Sequence, residues 1–306
     1  MVDDPEPTRP NLTSTIWRFW AAALAAVVMV AGCGPKSSTG PTRIPRGSSV
    51  QTIEIDGQPR TFRVYRPTRL SAPAPLVFVV HGWGFTAEQI EHDYGWNDLA
   101  ERHKFVVVHP EGVGLSWNAA GSCCGPAADD GVDDVAFVTE MVARLTRVLP
   151  IDRERVHVAG MSNGGVLAYA LACRTSLFAA IGVVAGTQVG RCAEPRPTSV
   201  IHVHGLDDTI VRFDGGPAVV PGAQSIPRVM AGWRRISRCE NPQSSRRGPV
   251  VTAKAVCADD REVTLVTIDR EGHTWPGRAG STAPWDATDE LWRFFSRQRS
   301  TAPTEP

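Results

Sequence analysis

The sequence has no excess of either charge: Lys plus Arg and Asp plus Glu both total 32, and the formal net charge is zero. No basic surplus is available to neutralise a phosphate backbone, which argues against nucleic acid as a partner. Near the N-terminus, the apolar stretch from Phe19 to Gly32 (FWAAALAAVVMVAG) falls short of the roughly 20 residues a bilayer-spanning helix needs. None of the seven cysteines stands in the CxxC spacing of a structural zinc site, so neither metal nor cofactor is expected. No internal repeat marks a solenoid. What is plentiful is apolar material, 42% of 306 residues, enough for a globular core.

Arg18 precedes the charge-free stretch, which closes in Val30, Ala31, Gly32 and Cys33. It resembles a signal-peptide core ending in the lipobox of bacterial lipoproteins. The resemblance implies export and acylation of Cys33, and two acyl chains hold a protein on a bilayer without a spanning helix. Asp3, Asp4 and Glu6 make the start acidic where a signal peptide is basic, which suggests a later true start. Composition then divides the chain: 1–32 as signal peptide, 33–47 as a Pro, Gly and Ser spacer, 48–297 as one folded domain and 298–306 as a disordered tail. The protein is expected on the extracytoplasmic face of a membrane, or secreted.

Export to an oxidising compartment suits the remaining six cysteines as disulfides. Cys239 and Cys257 bracket a polar insertion and are expected to close it. Cys173 should lie far down a helix that starts near residue 162, whereas Cys192 follows a strand end. A bond between those two would be strained, which leaves Cys123 and Cys124 as alternative partners of each.

Within the domain, VQTIEI and TFRVYR flank Asp56 and Gly57, the signal of a hairpin. LVFVVHG (76–82), FVVVHP (105–110), RVHVAG (155–160), FAAIGVVAG (178–186), SVIHVHG (199–205) and EVTLVTID (262–269) are continuous apolar runs, the pattern of strands buried on both faces. Between them TAEQIEHDYGWNDLAERH, DDVAFVTEMVARLTRVL and NGGVLAYALAC carry helical spacing. The alternation predicts an α/β fold: a mostly parallel central sheet with an N-terminal antiparallel hairpin and helices on both faces. In such sheets ligands meet the carboxyl ends of the strands.

The loop after RVHVAG reads Gly160, Met161, Ser162, Asn163, Gly164, Gly165. Between a buried strand and a helix, a GxSxG pattern is a nucleophile elbow, with the helix N-terminus offering positive potential where an oxyanion would form. A serine hydroxyl needs a base, and the base needs a carboxylate to hold its tautomer. In the order Ser, acid, His, only His273 of the eight histidines can close the series. The acid should follow SVIHVHG, where spacing alone leaves Asp207 and Asp208 open and Asp214 as a weaker third. For the oxyanion, the amide of Asn163 needs a second donor, and Trp83 in HGWG stands where it belongs. His81 of that motif is read as structural. Trp83, Trp117 and Trp275 fall in loops at the catalytic end, and exposed indoles there suit a sugar or phenolic ring.

Together, HGWG, WNAAGSCCGP with VDDVAFV, GMSNGG with LAC, HGLDD and GHTWPG resemble the polyhydroxybutyrate depolymerase and feruloyl esterase type of α/β-hydrolase, related to carbohydrate esterases, over about residues 55 to 295. The resemblance implies the α/β-hydrolase fold, Ser162 as nucleophile, Asp208 as acid, His273 as base, and an ester substrate that is sugar-linked, phenolic or polyester. The competing readings are an acyltransferase of the cell envelope with the same triad, a non-catalytic binding lipoprotein, and a metal hydrolase built on His202 and His204.

Overall fold

A computed structural model describes residues 43–70, 73–119, 124–193, 195–215 and 222–300. The signal peptide, the lipidation site Cys33, Cys123 and residues 301–306 of the tail lie outside the described residues. No helix among those described is long and apolar enough to cross a membrane.

Strands β1 (Gly47–Ile55) and β2 (Gln58–Arg66) form the expected hairpin, with Gly47 opposite Arg66 and Ile55 opposite Gln58. Asp56 and Gly57 make its turn, both at positive φ, which is why Asp-Gly stands there. In chain order there follow β3 (Ala74–Val80), α1 (Ala87–Asp93), α2 (Trp96–His103), β4 (Val106–Pro110), the short α3 (Pro126–Asp129) and α4 (Asp134–Val148). Then come β5 (Ile151–Met161), α5 (Asn163–Arg174), β6 (Ala180–Val184), β7 (Ser199–Gly205), α6 (Ile226–Ile236), β8 (Gln243–Arg247), β9 (Val250–Val256), β10 (Glu262–Ile268) and α7 (Ala287–Phe295).

The strands make one sheet in the order β1-β2-β4-β3-β5-β6-β7-β10-β9-β8. From β4 to β10 the neighbours run parallel, and the antiparallel pairs lie at the two edges. Strands β3, β4, β6 and β7 are buried at every position, as their unbroken apolar runs require. Alternation along β3 divides the core. Leu76, Phe78 and Val80 pack with Phe137, Leu167 and Trp233 of α4, α5 and α6, whereas Val77 and Val79 join the side of Ile90, Trp96 and Leu291 of α1, α2 and α7. Helices therefore cover both faces.

Several expectations shift. The helical stretch over 86–103 breaks into α1 and α2 at Gly95, whose φ is 72°. The ordered fold begins before residue 48: Ile44 is fully buried and its carbonyl accepts from Arg66 at 2.8 Å. It also continues past 297, because Gln298 accepts from the Ser199 hydroxyl at 2.6 Å and the Ser300 amide donates to Glu154 at 2.8 Å. Composition cannot reveal such distant partners.

Cys239 and Cys257 are bonded, as expected. The expectation for the other pair is corrected: Cys173 bonds to Cys192, with Cα atoms 5.3 Å apart. The twelve residues of α5 span about 18 Å, and the eight residues from Val184 to Cys192 can extend about 27 Å. The chain after β6 is thus long enough to return along the helix.

Candidate active site

Ser162 lies between the last residue of β5 and the first of α5, at φ 53° and ψ −119°. For a residue with a Cβ this conformation costs on the order of 1–3 kcal/mol, and the surroundings must enforce it. The Ser162 amide donates to Val184 of β6 at 2.9 Å, and its carbonyl receives the Val166 amide at 3.0 Å. Two glycines are dictated by close approach. A Cβ on Gly160 would lie 2.2 Å from the Gly164 carbonyl, and one on Gly164 would lie 2.4 Å from the Val80 carbonyl. The spacing GxSxG is the sequence record of that tight turn.

At the end of β3 the chain passes beside the serine, since a Cβ on Gly82 would lie 3.4 Å from that of Ser162. Among the described residues, no protein acceptor takes the amide hydrogens of Trp83 or Asn163. The side chain of Asn163 is locked: Oδ1 accepts from the Trp117 amide at 2.8 Å and Nδ2 donates to the Trp117 carbonyl at 3.1 Å. His81 is fully buried, donating from Nδ1 to the Gly82 carbonyl at 2.8 Å and accepting the Gly112 amide at Nε2, 3.0 Å. Burial lowers its pKa to about 4, so it is a neutral strut, as its sequence position implied.

Past β7, the geometry separates the two adjacent aspartates. Asp207 and Asp214 are exposed, but Asp208 is buried. Its Oδ1 accepts the amides of Ile210 and Val211 at 2.9 and 2.8 Å, and its Oδ2 accepts from Nδ1 of His273 at 2.8 Å. The two loops that carry this pair are joined through their backbones. The Asp207 amide donates to the Glu271 carbonyl at 3.0 Å, and a Cβ on Gly205 would lie 2.2 Å from that same oxygen.

Glu271, which sequence reasoning passed over although it opens EGHTWPG, is buried. It accepts from the Thr274 hydroxyl and from the amide and hydroxyl of Thr282 at 3.2 and 3.3 Å, holding the loop on both sides of His273. The Ser162 hydroxyl makes no hydrogen bond among the described residues, so the Asp208–His273 contact is formed and the Ser162–His273 contact is not. Catalytic hydrogen bonds of unliganded hydrolases are commonly long and tighten around substrate.

Residues 62–211 match the family model described as Esterase PHB depolymerase. NocK of Nocardia uniformis subsp. tsuyamanensis, which carries the name of an esterase, is 30% identical over 288 residues, covering 84% of this chain and 81% of NocK. The chain belongs to the PHB depolymerase family of esterases. Feruloyl esterase D of Neurospora crassa is 25% identical over 304 residues, 94% of this chain and 99% of that protein. In fold, an acetyl xylan esterase from Aspergillus awamori superposes with a TM-score of 0.60 at 15% identity, over 81% of this chain and 99% of that one. The fold is the α/β-hydrolase fold, and the protein is an esterase acting on carboxylic esters.

The expected row of exposed indoles is not formed. Trp83 is 57% exposed, but Trp117 and Trp275 are buried. The Trp117 indole donates to the His81 carbonyl at 2.9 Å. Trp275 donates to the Thr288 hydroxyl at 3.0 Å and stacks on Tyr94 with ring centroids 4.2 Å apart. Both therefore pack the loop bases of this esterase, and assigning them to substrate is corrected. The exposed apolar side chains of the loops that follow β3, β4 and β7 are instead Phe85, Leu115, Leu206 and Ile210. His202 and His204 have their ring nitrogens engaged by each other, by Tyr169 and by the Val211 carbonyl.

Proposed function

We propose that this esterase acts as a serine esterase through an acyl-enzyme on Ser162. The observation that carries the reading is the 2.8 Å bond from His273 Nδ1 to the buried Asp208 carboxylate. A carboxylate can only accept, so the proton sits on Nδ1 and the Nε2 lone pair is left to act as base. In that role Nε2 takes the Ser162 proton as the hydroxyl oxygen attacks the ester carbonyl. The amides of Asn163 and Trp83 then stabilise the oxyanion. The tetrahedral adduct collapses, and the alcohol leaves with the proton from His273. Water, deprotonated by the same nitrogen, releases the acid and restores the serine.

Feruloyl esters and acetyl esters of sugars, or hydroxyalkanoate polyesters, are the substrate class, supported by the names of the relatives and by the exposed indole of Trp83. The working place is the outer face of a membrane, reached through acylated Cys33.

Purified Ser162→Ala protein should lose aryl-ester hydrolysis by about ten-thousandfold or more while keeping its melting temperature. Turnover equal to the parent would end the serine reading. Cys33→Ser should move the protein from the membrane fraction to the soluble one. Unchanged fractionation would refute the lipid anchor.

A further inference from the structure

A line of buried polar side chains, which the triad does not use, reaches the Asp208 loop from α5. Tyr169, His202 and His204 are each at most 1% exposed. The Tyr169 hydroxyl is 2.8 Å from His202 Nδ1, His202 Nε2 is 3.0 Å from His204 Nδ1, and His204 Nε2 is 2.7 Å from the Val211 carbonyl.

The last partner fixes the direction of the whole line. A carbonyl only accepts, so His204 Nε2 carries hydrogen. Burial lowers the pKa of both imidazoles, so each is neutral and carries one proton. His204 Nδ1 is therefore an acceptor, His202 Nε2 its donor, and His202 Nδ1 the acceptor of the tyrosine O–H.

Val211 is held twice, its carbonyl by His204 and its amide by Asp208 Oδ1 at 2.8 Å. His204 Nε2 also lies 3.6 Å from Asp208 Oδ2, the oxygen that holds His273. Around the line the neighbours are the rings of Phe213 and Trp233 and the thioether of Met230. The ionisable groups facing it are Asp208 and, from the facing loop, His273. Asp207, Arg212 and Asp214 of the acid loop are exposed.

We propose that His204, held in one tautomer by His202 and Tyr169, is a positioning residue for the Asp208–His273 pair. It clamps the turn from Asp208 to Val211 and presents an uncharged N–H edge to the carboxylate. Among the described residues, the imidazolium that forms on His273 during acyl transfer is then the one cation that compensates Asp208. If the line ran the other way, His204 would turn a lone pair toward both the Val211 carbonyl and the carboxylate, and the pair would be held apart. The proposal rests on the serine-esterase reading.

The test uses the full chain with His204→Phe, His204→Gln and Tyr169→Phe. The measurements are kcat and KM against pH on an aryl ester, the melting temperature, and the downfield proton resonance of His273 Nδ1–H. His204→Phe should lower kcat roughly tenfold to a hundredfold with KM within about twofold, move the acid limb of the kcat/KM profile and shift the resonance. His204→Gln, which returns a donor toward Val211, should recover most of the loss. Tyr169→Phe, nearly isosteric and suited to a case where the histidine variants do not fold, should shift profile and resonance in the same direction by less. Folded variants with parental kcat, profile and resonance would overturn the proposal. So would losses that only follow the melting temperature while profile and resonance stay put. The resonance is read without turnover, so this failure differs from that of the triad reading, which would appear as activity surviving in Ser162→Ala.

Discussion

Three tryptophans near the catalytic end do two kinds of work. Trp117 and Trp275 are buried, with their indole N–H groups committed to His81 and Thr288, so truncating either removes a large packed ring and orphans a buried acceptor. Trp117→Ala and Trp275→Ala should each cost about 3–5 kcal/mol of stability, read in chemical denaturation. Trp83→Ala should leave stability within about 0.5 kcal/mol and raise KM for aromatic or sugar esters several-fold. The opposite result, a stable Trp275→Ala with a raised KM, would return that indole to the substrate. Ser162 and His273 were legible because a tight turn must be glycine-flanked and because only one histidine follows the acid. For the acid, spacing left Asp207 and Asp208 open with Asp214 as a weaker third, and resemblance singled out Asp208. The indoles were not legible, because burial depends on which other loops fold across them.

Among the elements, the strands of the parallel centre were readable from their continuous apolar runs, and the hairpin from Asp-Gly. Strand β8 was not, since QSSRR is exposed at every position and owes its extended form to pairing with β9 at the sheet edge. Helices α6 and α7, which bury Trp233 and Phe295, were missed although Ser225 with Pro227 and Asp286 stand where helix-start signals belong. The two ends of the loop from Glu271 to Thr282 are tied together by one buried carboxylate. Glu271→Ala leaves the Thr274 hydroxyl and the Thr282 amide without their acceptor, which should cost about 1–3 kcal/mol. As His273 loosens, kcat should fall several-fold, because a base held less firmly spends less time in line with the serine hydroxyl. A variant with the parental kcat and melting temperature would show that the Gly205 turn and backbone bonds suffice.

At the scale of the whole molecule, five of the eight histidines are buried: His81, His109, His157, His202 and His204. Composition counts them as ordinary titrating groups near pH 6.5, and only burial reveals otherwise. Burial lowers His81 and His109 to about 4 and His157 to about 3, and lowers His202 and His204 as well. A depressed folded pKa means that the unfolded chain binds more protons at any pH between the two values. Stability is therefore undiminished above about 6.5 and is lost as pH falls toward about 4, by about 1.4 kcal/mol per pH unit for each net proton taken up on unfolding. Asp134 and Glu111, whose carboxyls burial raises, act in the opposite direction, but two groups cannot offset five. The melting temperature should be level from pH 8 to 7 and fall steeply from 6 to 4, with calorimetry showing net proton uptake on unfolding. A level profile through pH 5 would mean that these imidazoles are charged, or open to water, in the native state. The tautomer assigned to the line from Tyr169 to Val211 would fail with it.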